Sequence, residues 1–270
     1  MSFGAKHPFS GFRPVVLLLL SVVLTACSGL AIDTSHVAQG QDSRVQFVVL
    51  HYTSSDSQHS LQILSKGGVS SHYLIDAAPP TIYRLVDENR RAWHAGESTW
   101  RGRTWLNASS IGIELVNPGY RDTPAGRVWY PYPQAQIEQL IALLKDIQQR
   151  HQLPLDSIIG HSDIAPQRKV DPGPLFPWQQ LAEAGLIRWP DAQQVAEQQA
   201  LFSTLLPDAR WFQQQLAKQG YAIEITGEWD KPSQNVLAAL QMKYRPARYD
   251  GAADAQSAAI LQVLNQPAHE

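Results

Sequence analysis

The chain has 270 residues, of which 44% are hydrophobic and 17% are charged, and its formal net charge is −2. This composition is typical of a globular protein and excludes disorder as the general state of the chain. The nearly balanced charge also argues against nucleic acid as a partner, because such partners require a clustered basic surface. An enzyme or a binding module remains.

The N-terminus has the pattern of a secretory signal sequence. Lys6 and Arg13 precede the apolar run VVLLLLSVVL at residues 15–24. No acidic residue stands before Cys27. An apolar run of ten residues is too short to cross a bilayer core of about 30 Å as a helix. We therefore expect residues 1–26 to be a signal peptide and not a permanent transmembrane helix.

Cys27, the single cysteine of the chain, follows the apolar run in the sequence LTAC. This sequence resembles the lipobox of bacterial lipoproteins, which implies cleavage before Cys27 and acylation of its thiol and its new amine. Two or more acyl chains anchor a protein firmly to a membrane. Ser28 stands where an aspartate often retains lipoproteins at the inner membrane. We therefore expect an outer-membrane lipoprotein that faces the periplasm, with a polar tether at 27–43. The alternative is a free cysteine after an ordinary signal peptide.

The central part of the chain alternates between predicted strands and helices. The best helix covers residues 134–151, where isoleucines and leucines recur at spacings of three and four, and a shorter one is expected at 177–187. Apolar runs predict strands at 44–53, 71–76, 81–87, 111–117 and 157–161. Strands interspersed with helices predict an α/β domain at 44–190, with a mixed central β-sheet flanked by helices.

The C-terminal part of the chain is helical in its pattern. A connector rich in glutamine and alanine at 191–207 leads to a small predicted three-helix domain at 208–265. Its first helix lies in 208–221, and the segments 227–244 and 249–264 each place a glycine shortly before an aspartate and a helical run. The repeat resembles the peptidoglycan-binding domain of bacterial wall enzymes. An ordinary helical bundle is the alternative.

Two histidines stand at the ends of apolar strands. His51 ends the first strand and His161 ends the last, at the sheet edge that α/β proteins use for ligands. In the sequence KVDPG, Lys169 and Asp171 are two residues apart, so both point the same way in an extended segment. Two imidazoles and one carboxylate suit a catalytic zinc ion with a fourth position for water. Asp163 is a rival ligand, but its place on a turn favours capping the loop or orienting a histidine.

Glu114 is a carboxylate on an otherwise apolar strand. Ile113 and Leu115 belong to one face of this strand and Glu114 to the other. Burial raises the pKa of a carboxyl group, and a general base tuned for catalysis has the same signature. The alternatives are a surface-facing residue or a structural ion pair for Glu114, a solvated side chain for Lys169, and a structural role for His72.

Five motifs occur in the order and spacing of one enzyme family. They are VVLHYTS (48–54), SHYLID (71–76), AWHAGES (92–98), IGIELVN (111–117) and GHSDIAPQRKVDPG (160–173). The chain thus resembles the zinc-dependent N-acetylmuramoyl-L-alanine amidases of the amidase-2 group, which also includes phage T7 lysozyme and the peptidoglycan recognition proteins. The resemblance covers about residues 44–190, with a weaker match at 208–264.

This resemblance implies one zinc ion per chain, with His51, His161 and Asp171 as its ligands and with Glu114 and Lys169 as the catalytic pair. It implies hydrolysis of the amide bond that joins N-acetylmuramic acid, or its anhydro form, to L-alanine. The expected partners are peptidoglycan or muropeptides, and a membrane through the lipid anchor. Nothing in the sequence requires more than a monomer.

Other interpretations remain open at this point. Trp93 and His94 in AWHAG are candidates for lining a sugar or peptide groove, and a core role is equally compatible with their sequence. The chain as a whole is also compatible with a protein that binds peptidoglycan without cutting it. A third possibility is a zinc peptidase that cuts within the stem peptide.

Overall fold

The computed structural model describes residues 1–4 and 30–267, and the chain divides into two units, Met1–Gln41 and Asp42–Glu270. The described residues of the first unit are exposed and contain no helix or strand. The predicted lipidation site Cys27 and most of the predicted signal peptide lie outside the described residues. Among the helices that the structure describes, none has the length and apolar character needed to span a membrane.

The second unit contains the β-sheet and the described helices. Its first part consists, in chain order, of β1 (Phe47–Tyr52), α1 (Ser57–Lys66), β2 (Tyr73–Ile75), β3 (Ile82–Arg84), β4 (Thr99–Trp100), β5 (Arg103–Thr104), β6 (Ser110–Leu115), β7 (Tyr120–Thr123), β8 (Gly126–Trp129), α2 (Gln134–His151), β9 (Ile158–Gly160), α3 (His161–Ile164) and α4 (Trp178–Glu183). Its C-terminal part consists of α5 (Ala192–Thr204), α6 (Ala209–Gln219), α7 (Lys231–Tyr244) and α8 (Ala255–Leu264).

Five strands form the central sheet in the order β3-β2-β6-β1-β9, and they are the five strands that the sequence predicts. β1 pairs in parallel with β6 and β9, and β2 pairs in parallel with β6. β3 pairs antiparallel with β2. The predicted mixed sheet flanked by helices is therefore confirmed. Two antiparallel hairpins, β4-β5 and β7-β8, lie outside this sheet.

Both faces of the sheet are covered by apolar side chains. Leu50 of β1 and Ile113 of β6 pack in one cluster with Leu140 of the amphipathic helix α2. Alternate residues of a strand point to opposite faces. Val49 therefore lies on the other face, in a second cluster that includes Phe212 of α6. All five side chains are fully buried, and such burial contributes about 1.5–3 kcal/mol for each large apolar side chain.

The sheet and the C-terminal helices share one apolar core. Phe47 of β1 and Ile159 of β9 lie in the same cluster as Leu216 of α6 and Leu240 of α7. The segments 44–190 and 208–265 thus meet across a packed apolar interface, although their amino-acid patterns are distinct. The connecting helix α5 packs against α8.

The repeat in the C-terminal segment has a structural basis. Asp230 and Asp254 each accept a hydrogen bond from the backbone N–H three positions further on, and so they cap α7 and α8. The glycine of each repeat donates its N–H to a glutamine of the preceding helix, Gln213 or Gln241, at 2.9 Å in both cases. Each repeat therefore ties the start of one helix to the middle of the helix before it.

Strand β6 carries a glycine where a histidine ring packs against the sheet. A Cβ atom on Gly112 would lie 2.3 Å from Cγ of His94. The backbone N–H of Gly112 also donates to Nδ1 of His72 at 3.0 Å. Because both rings are buried, neither can move outward to make room.

We predict that Gly112→Ala lowers the free energy of unfolding by about 1–3 kcal/mol, because the added methyl group overpacks the site of His94. Urea denaturation followed by circular dichroism measures the effect. Gly68→Ala is the matched control, since a Cβ atom there has no neighbour within 4 Å among the described residues. Equal losses of stability in the two variants would contradict the steric argument.

Candidate metal centre and active site

The strand register brings three of the predicted site residues to one edge of the sheet. His51 of β1 lies directly opposite Glu114 of the parallel strand β6. On the other side of β1, Leu50 lies opposite Gly160, the last residue of β9, so that His161 follows immediately beside His51. Since the carboxyl ends of parallel strands share one edge of a sheet, these side chains meet there.

The predicted ligand atoms converge in this place. Nδ1 of His51 lies 2.9 Å from Nδ1 of His161. Oδ2 of Asp171 lies 3.2 Å from the first of these nitrogens and 3.0 Å from the second. Tetrahedral ligands at zinc bond lengths are about 3.3 Å apart, a value that follows from bonds of 2.0–2.1 Å. The three buried side chains therefore form a group that fits a zinc ion after a small outward adjustment.

The other nitrogen of each histidine is held inside the protein. Nε2–H of His161 donates to the carbonyl oxygen of Ala95 at 3.2 Å. Nε2–H of His51 donates to Nδ1 of His94 at 3.0 Å, and Nε2–H of His94 donates to the hydroxyl of Ser110 at 3.2 Å. That hydroxyl donates in turn to a backbone carbonyl. This order of donors fixes both tautomers and leaves Nδ1 of each histidine as the free ligand atom.

The environment also sets the charge of the group. Burial, reinforced by the neighbouring His161, lowers the pKa of His51 to about 4. Burial alone would raise the pKa of Asp171, but the two imidazoles hold it well below its usual range. At neutral pH His51 is therefore neutral and Asp171 is ionised, which are the protonation states that bind a metal ion.

Glu114 is a carboxylate without compensation. Its pKa is raised to about 8, mainly by burial and also by the neighbouring Asp171, while Lys169 opposes the shift. Its Oε2 atom is buried and has no hydrogen-bond partner among the residues that the structure describes. Without a bound cation the group is therefore mostly protonated at neutral pH and half protonated only near pH 8, and a carboxyl whose pKa lies close to the working pH can both take and return a proton.

A cavity of about 580 Å³ opens over these residues. Its lining contains the three candidate ligands together with Glu114, Lys169, Trp93 and His94. The indole of Trp93 is 56% exposed at the rim, whereas His94 is buried against His51. The structure thus brings every predicted site residue of this domain to one cavity.

Two further residues lie outside the ligand group. Asp163 accepts the N–H of Gly160 at 2.8 Å and closes the turn that begins α3, as its sequence position suggests. His72 accepts the N–H of Gly112 and donates to the carbonyl oxygen of Arg90 at 3.1 Å. These three contacts are to backbone atoms, which is consistent with a structural role.

Arg168 belongs to the site although its sequence gave no signal beyond its place beside Lys169. Its Nη2 atom donates to the carbonyl oxygens of Ala95 and Glu97, and it lies 3.4 Å from Nε2 of His161. Arg168 therefore holds in place the loop whose carbonyl fixes the tautomer of His161. Ser110 was missed for a similar reason, because its contact with His94 depends on the fold.

We predict that Glu114→Gln stabilises the chelator-treated protein at alkaline pH. The folded protein keeps Glu114 protonated up to about pH 8, whereas an unfolded glutamate ionises near pH 4.3. The stability advantage of the variant should therefore appear as pH rises through this lower value and be complete above about 8.

Thermal unfolding between pH 4 and pH 9 measures this difference. Glu138→Gln on the exposed face of α2 is the control, and it should follow the wild type throughout. An advantage of Glu114→Gln that is independent of pH would show that the buried charge is not its cause.

The chain matches known proteins over both of its structural parts. Residues 41–174 match the family model of N-acetylmuramoyl-L-alanine amidases of the amidase-2 group, and residues 206–261 match a model described as a peptidoglycan binding domain. The chain is 41% identical to N-acetylmuramoyl-L-alanine amidase AmiD of Escherichia coli K12 over 264 residues, which cover 92% of this chain and 95% of that protein.

Solved structures agree with this similarity. The complex of E. coli AmiD with anhydro-N-acetylmuramic acid-L-Ala-D-gamma-Glu-L-Lys has a TM-score of 0.80 at 43% identity, covering 86% of this chain and 93% of that chain. AmpDh3 from Pseudomonas aeruginosa in complex with anhydromuramic pentapeptide has a TM-score of 0.82 at 40% identity, covering 88% and 98%. This chain therefore belongs to the family of N-acetylmuramoyl-L-alanine amidases.

Proposed function

We propose that this protein hydrolyses the amide bond between N-acetylmuramic acid, or its anhydro form, and L-alanine in peptidoglycan or released muropeptides. The observation that carries the proposal is the convergence of His51, His161 and Asp171 beside the uncompensated carboxylate of Glu114. The similarity to AmiD, which was solved with an anhydromuropeptide substrate, supports the same reaction.

His51, His161 and Asp171 would hold one zinc ion. Two imidazole nitrogens and one carboxylate oxygen are the donors of catalytic zinc sites, and the cavity leaves room for water and substrate on the open side. When bound, zinc supplies a Lewis acid that polarises the amide carbonyl and lowers the pKa of water toward about 7.

Glu114 is the proposed general base. It takes a proton from the attacking water at its free carboxylate oxygen and returns that proton to the departing nitrogen of alanine. A cation held beside it would lower its pKa from the value of about 8 and so favour the ionised form at neutral pH.

Lys169 is the proposed stabiliser of the negative charge that develops on the carbonyl oxygen. It lines the same cavity as Glu114 and stands two residues before the proposed ligand Asp171. An ammonium group placed in this way interacts more strongly with the tetrahedral state than with the planar amide. Losing one such donor typically costs about 10²–10³ in turnover.

Trp93 and His94 contribute to the substrate cavity in different ways. The exposed indole of Trp93 offers an apolar surface at the rim against which a sugar or peptide packs. His94 forms part of the wall, and its hydrogen bond to His51 keeps that ligand in the correct orientation.

The N-terminal sequence supports a location at the outer membrane. Acylated Cys27 is the proposed anchor, residues 27–43 the tether, 44–190 the catalytic domain, and 208–265 a module that contacts peptidoglycan after the connector 191–207. This arrangement would keep a monomeric enzyme at the outer membrane, facing the periplasm and the peptidoglycan. The lipobox and the match to a peptidoglycan binding domain support it.

The reaction is tested by incubating the purified protein with muropeptides, with and without a zinc chelator, and identifying the products by mass. The proposal expects separated sugar and intact peptide, and loss of both products with chelator. Cleavage within the peptide would instead assign a stem-peptide peptidase. Binding without a change of mass would assign a non-catalytic wall-binding protein.

We predict that two variants separate metal binding from turnover. Glu114→Ala should keep zinc and lose about 10²–10⁴ in turnover, because only the proton transfer is removed. His161→Ala should lose zinc itself, because one of three ligands is removed. Metal analysis of the gel-filtered proteins and a muropeptide assay give the two readouts. An active Glu114→Ala protein would remove Glu114 from the mechanism.

We predict that Cys27→Ser moves the mature protein from the membrane fraction to the soluble periplasmic fraction, because serine accepts no thioether-linked lipid. Fractionation with immunodetection measures the distribution. Ser28→Ala is the control and should leave the protein with the membrane. Continued membrane association of Cys27→Ser would contradict lipid anchoring.

A further inference from the structure

The segment 160–173, here called the ligand segment, carries His161, Lys169 and Asp171. It leaves the sheet at the end of β9 and returns toward α4. The ligand segment has contacts within the catalytic part and also with the C-terminal part. The C-terminal part contacts its start and its middle directly, and its end indirectly through β8. These three contacts involve specific hydrogen bonds and not merely apolar packing.

The first contact is at Asp163, two residues after the ligand His161. This side chain is 1% exposed, and its Oδ2 atom accepts the N–H of Gly160. Its remaining partners both come from the C-terminal helices. The hydroxyl of Tyr221 donates to Oδ1 at 2.8 Å, and Nζ of Lys243 lies 3.3 Å from Oδ2.

Lys243 is itself built into the interface. It is 7% exposed, it lies 4.2 Å from the centre of the Trp178 ring, and it donates to the carbonyl oxygen of Ile158 at 3.4 Å. Burial is the largest single influence and would lower its pKa, but the Asp163 carboxylate together with Tyr244 and Asp156 raises the pKa above its usual value. The contact is therefore a buried ion pair between a helix of one part and a turn of the other.

The second contact is at Gln167, in the middle of the ligand segment. Nδ2 of Asn235 donates to Oε1 of Gln167 at 2.9 Å, and Nε2 of Gln167 donates to the carbonyl oxygen of Pro232 at 3.1 Å. The side-chain amide of Gln167 thus both accepts and donates a hydrogen bond to α7, two residues before Lys169. This pair is exposed, so it contributes less than the contact at Asp163.

The third contact is indirect and lies at the end of the ligand segment. The indole of Trp129 packs on Gly173, where a Cβ atom would lie 2.6 Å from the ring. Nε1–H of Trp129 donates to the hydroxyl of Tyr249 at 2.7 Å, and Tyr249 precedes α8. Tyr249 of the C-terminal part therefore positions the Trp129 ring, which packs on the backbone of Gly173, two residues after Asp171.

We propose that the C-terminal helices are part of the metal site's scaffold, and that Tyr221 and Lys243 are positioning residues that act on His161 through Asp163. The proposal rests on the zinc centre proposed above. The module that matches a peptidoglycan binding domain would then have a second role. Among the described residues, the Asp163 carboxylate has one hydrogen-bond partner in the catalytic part, Gly160, and its two other partners belong to this module.

The test uses the full chain and point variants, since deletion of the helices would expose the shared apolar core. Tyr221→Phe removes one hydrogen bond and Lys243→Met removes one buried cation. Tyr73→Phe is the control for the first, because its hydroxyl also donates to a carboxylate, Glu88, at 2.6 Å but far from the ligand segment.

Arg245→Met is the control for Lys243→Met. Arg245 follows α7, is 8% exposed and pairs with Asp254 at 2.6 Å inside the C-terminal part. Asp254 keeps a second contact with Arg248 at 3.6 Å, and each substitution removes a buried cation of the C-terminal part from a carboxylate. Only Lys243→Met does so at the ligand segment.

Zinc affinity is measured by competition with a chromophoric chelator, and site geometry by the visible absorption spectrum of the cobalt-substituted protein. We expect Tyr221→Phe and Lys243→Met to weaken zinc binding by about 10-fold or more and to alter the cobalt bands, as loss of outer partners does in other metal sites. Both controls should keep wild-type affinity and spectrum. Circular dichroism confirms that each variant is folded.

Several outcomes would overturn the inference while leaving the proposed function intact. One is wild-type affinity in Tyr221→Phe, which removes a single oxygen atom and should fold even if Lys243→Met does not. Another is an equal loss of affinity in the two controls, which would indicate general destabilisation. A wild-type protein that binds no zinc would instead overturn the proposed function itself.

Discussion

The site depends on one ionised carboxylate that is buried between two imidazoles. A buried charge is costly unless it is compensated, and the Nδ1 atoms of His51 and His161 that face Oδ2 of Asp171 within 3.2 Å carry no proton in the tautomers described above. Each imidazole is tied at its other nitrogen, so neither ring can turn away without breaking a buried hydrogen bond. A divalent cation would satisfy all three atoms at once.

The sheet makes this arrangement possible because both of its faces are covered. With apolar clusters on either side, polar side chains of the central strands can escape burial only at the strand ends. His51 is the first polar residue of β1, and Glu114 lies opposite it in register. The same pairing of parallel strands that excludes water from the core therefore concentrates the polar groups at one edge, where the loops can add Lys169 and Asp171.

Much of this could be predicted from the sequence, and the exceptions have a common cause. Strands with continuous apolar runs, the helix Gln134–His151 and the triad of candidate ligands were visible because periodicity and strand ends are local signals. The helix Ser57–Lys66 was not predicted, because it is short, it buries only Ser60 and Leu64, and its N-cap, Asp56, is one polar residue among several. The hydrogen bonds of Asp163 to Tyr221 and Lys243 join residues about 60 and 80 positions apart, and no local pattern encodes them.

Glu114 shows why the two parts of the chain are better understood as one folding unit. A structural ion pair would give its carboxylate a close cation, and a surface position would give it water, yet its Oε2 atom is buried and lacks a hydrogen-bond partner within the described part of the chain. The cost of this group is a loss of stability that the rest of the fold must offset. The apolar interface between the sheet and the C-terminal helices supplies part of that margin through fully buried side chains such as Phe212 and Leu237. The fold therefore tolerates the unpartnered carboxyl group of Glu114 because the C-terminal helices, which pack on the same sheet, add to its stability.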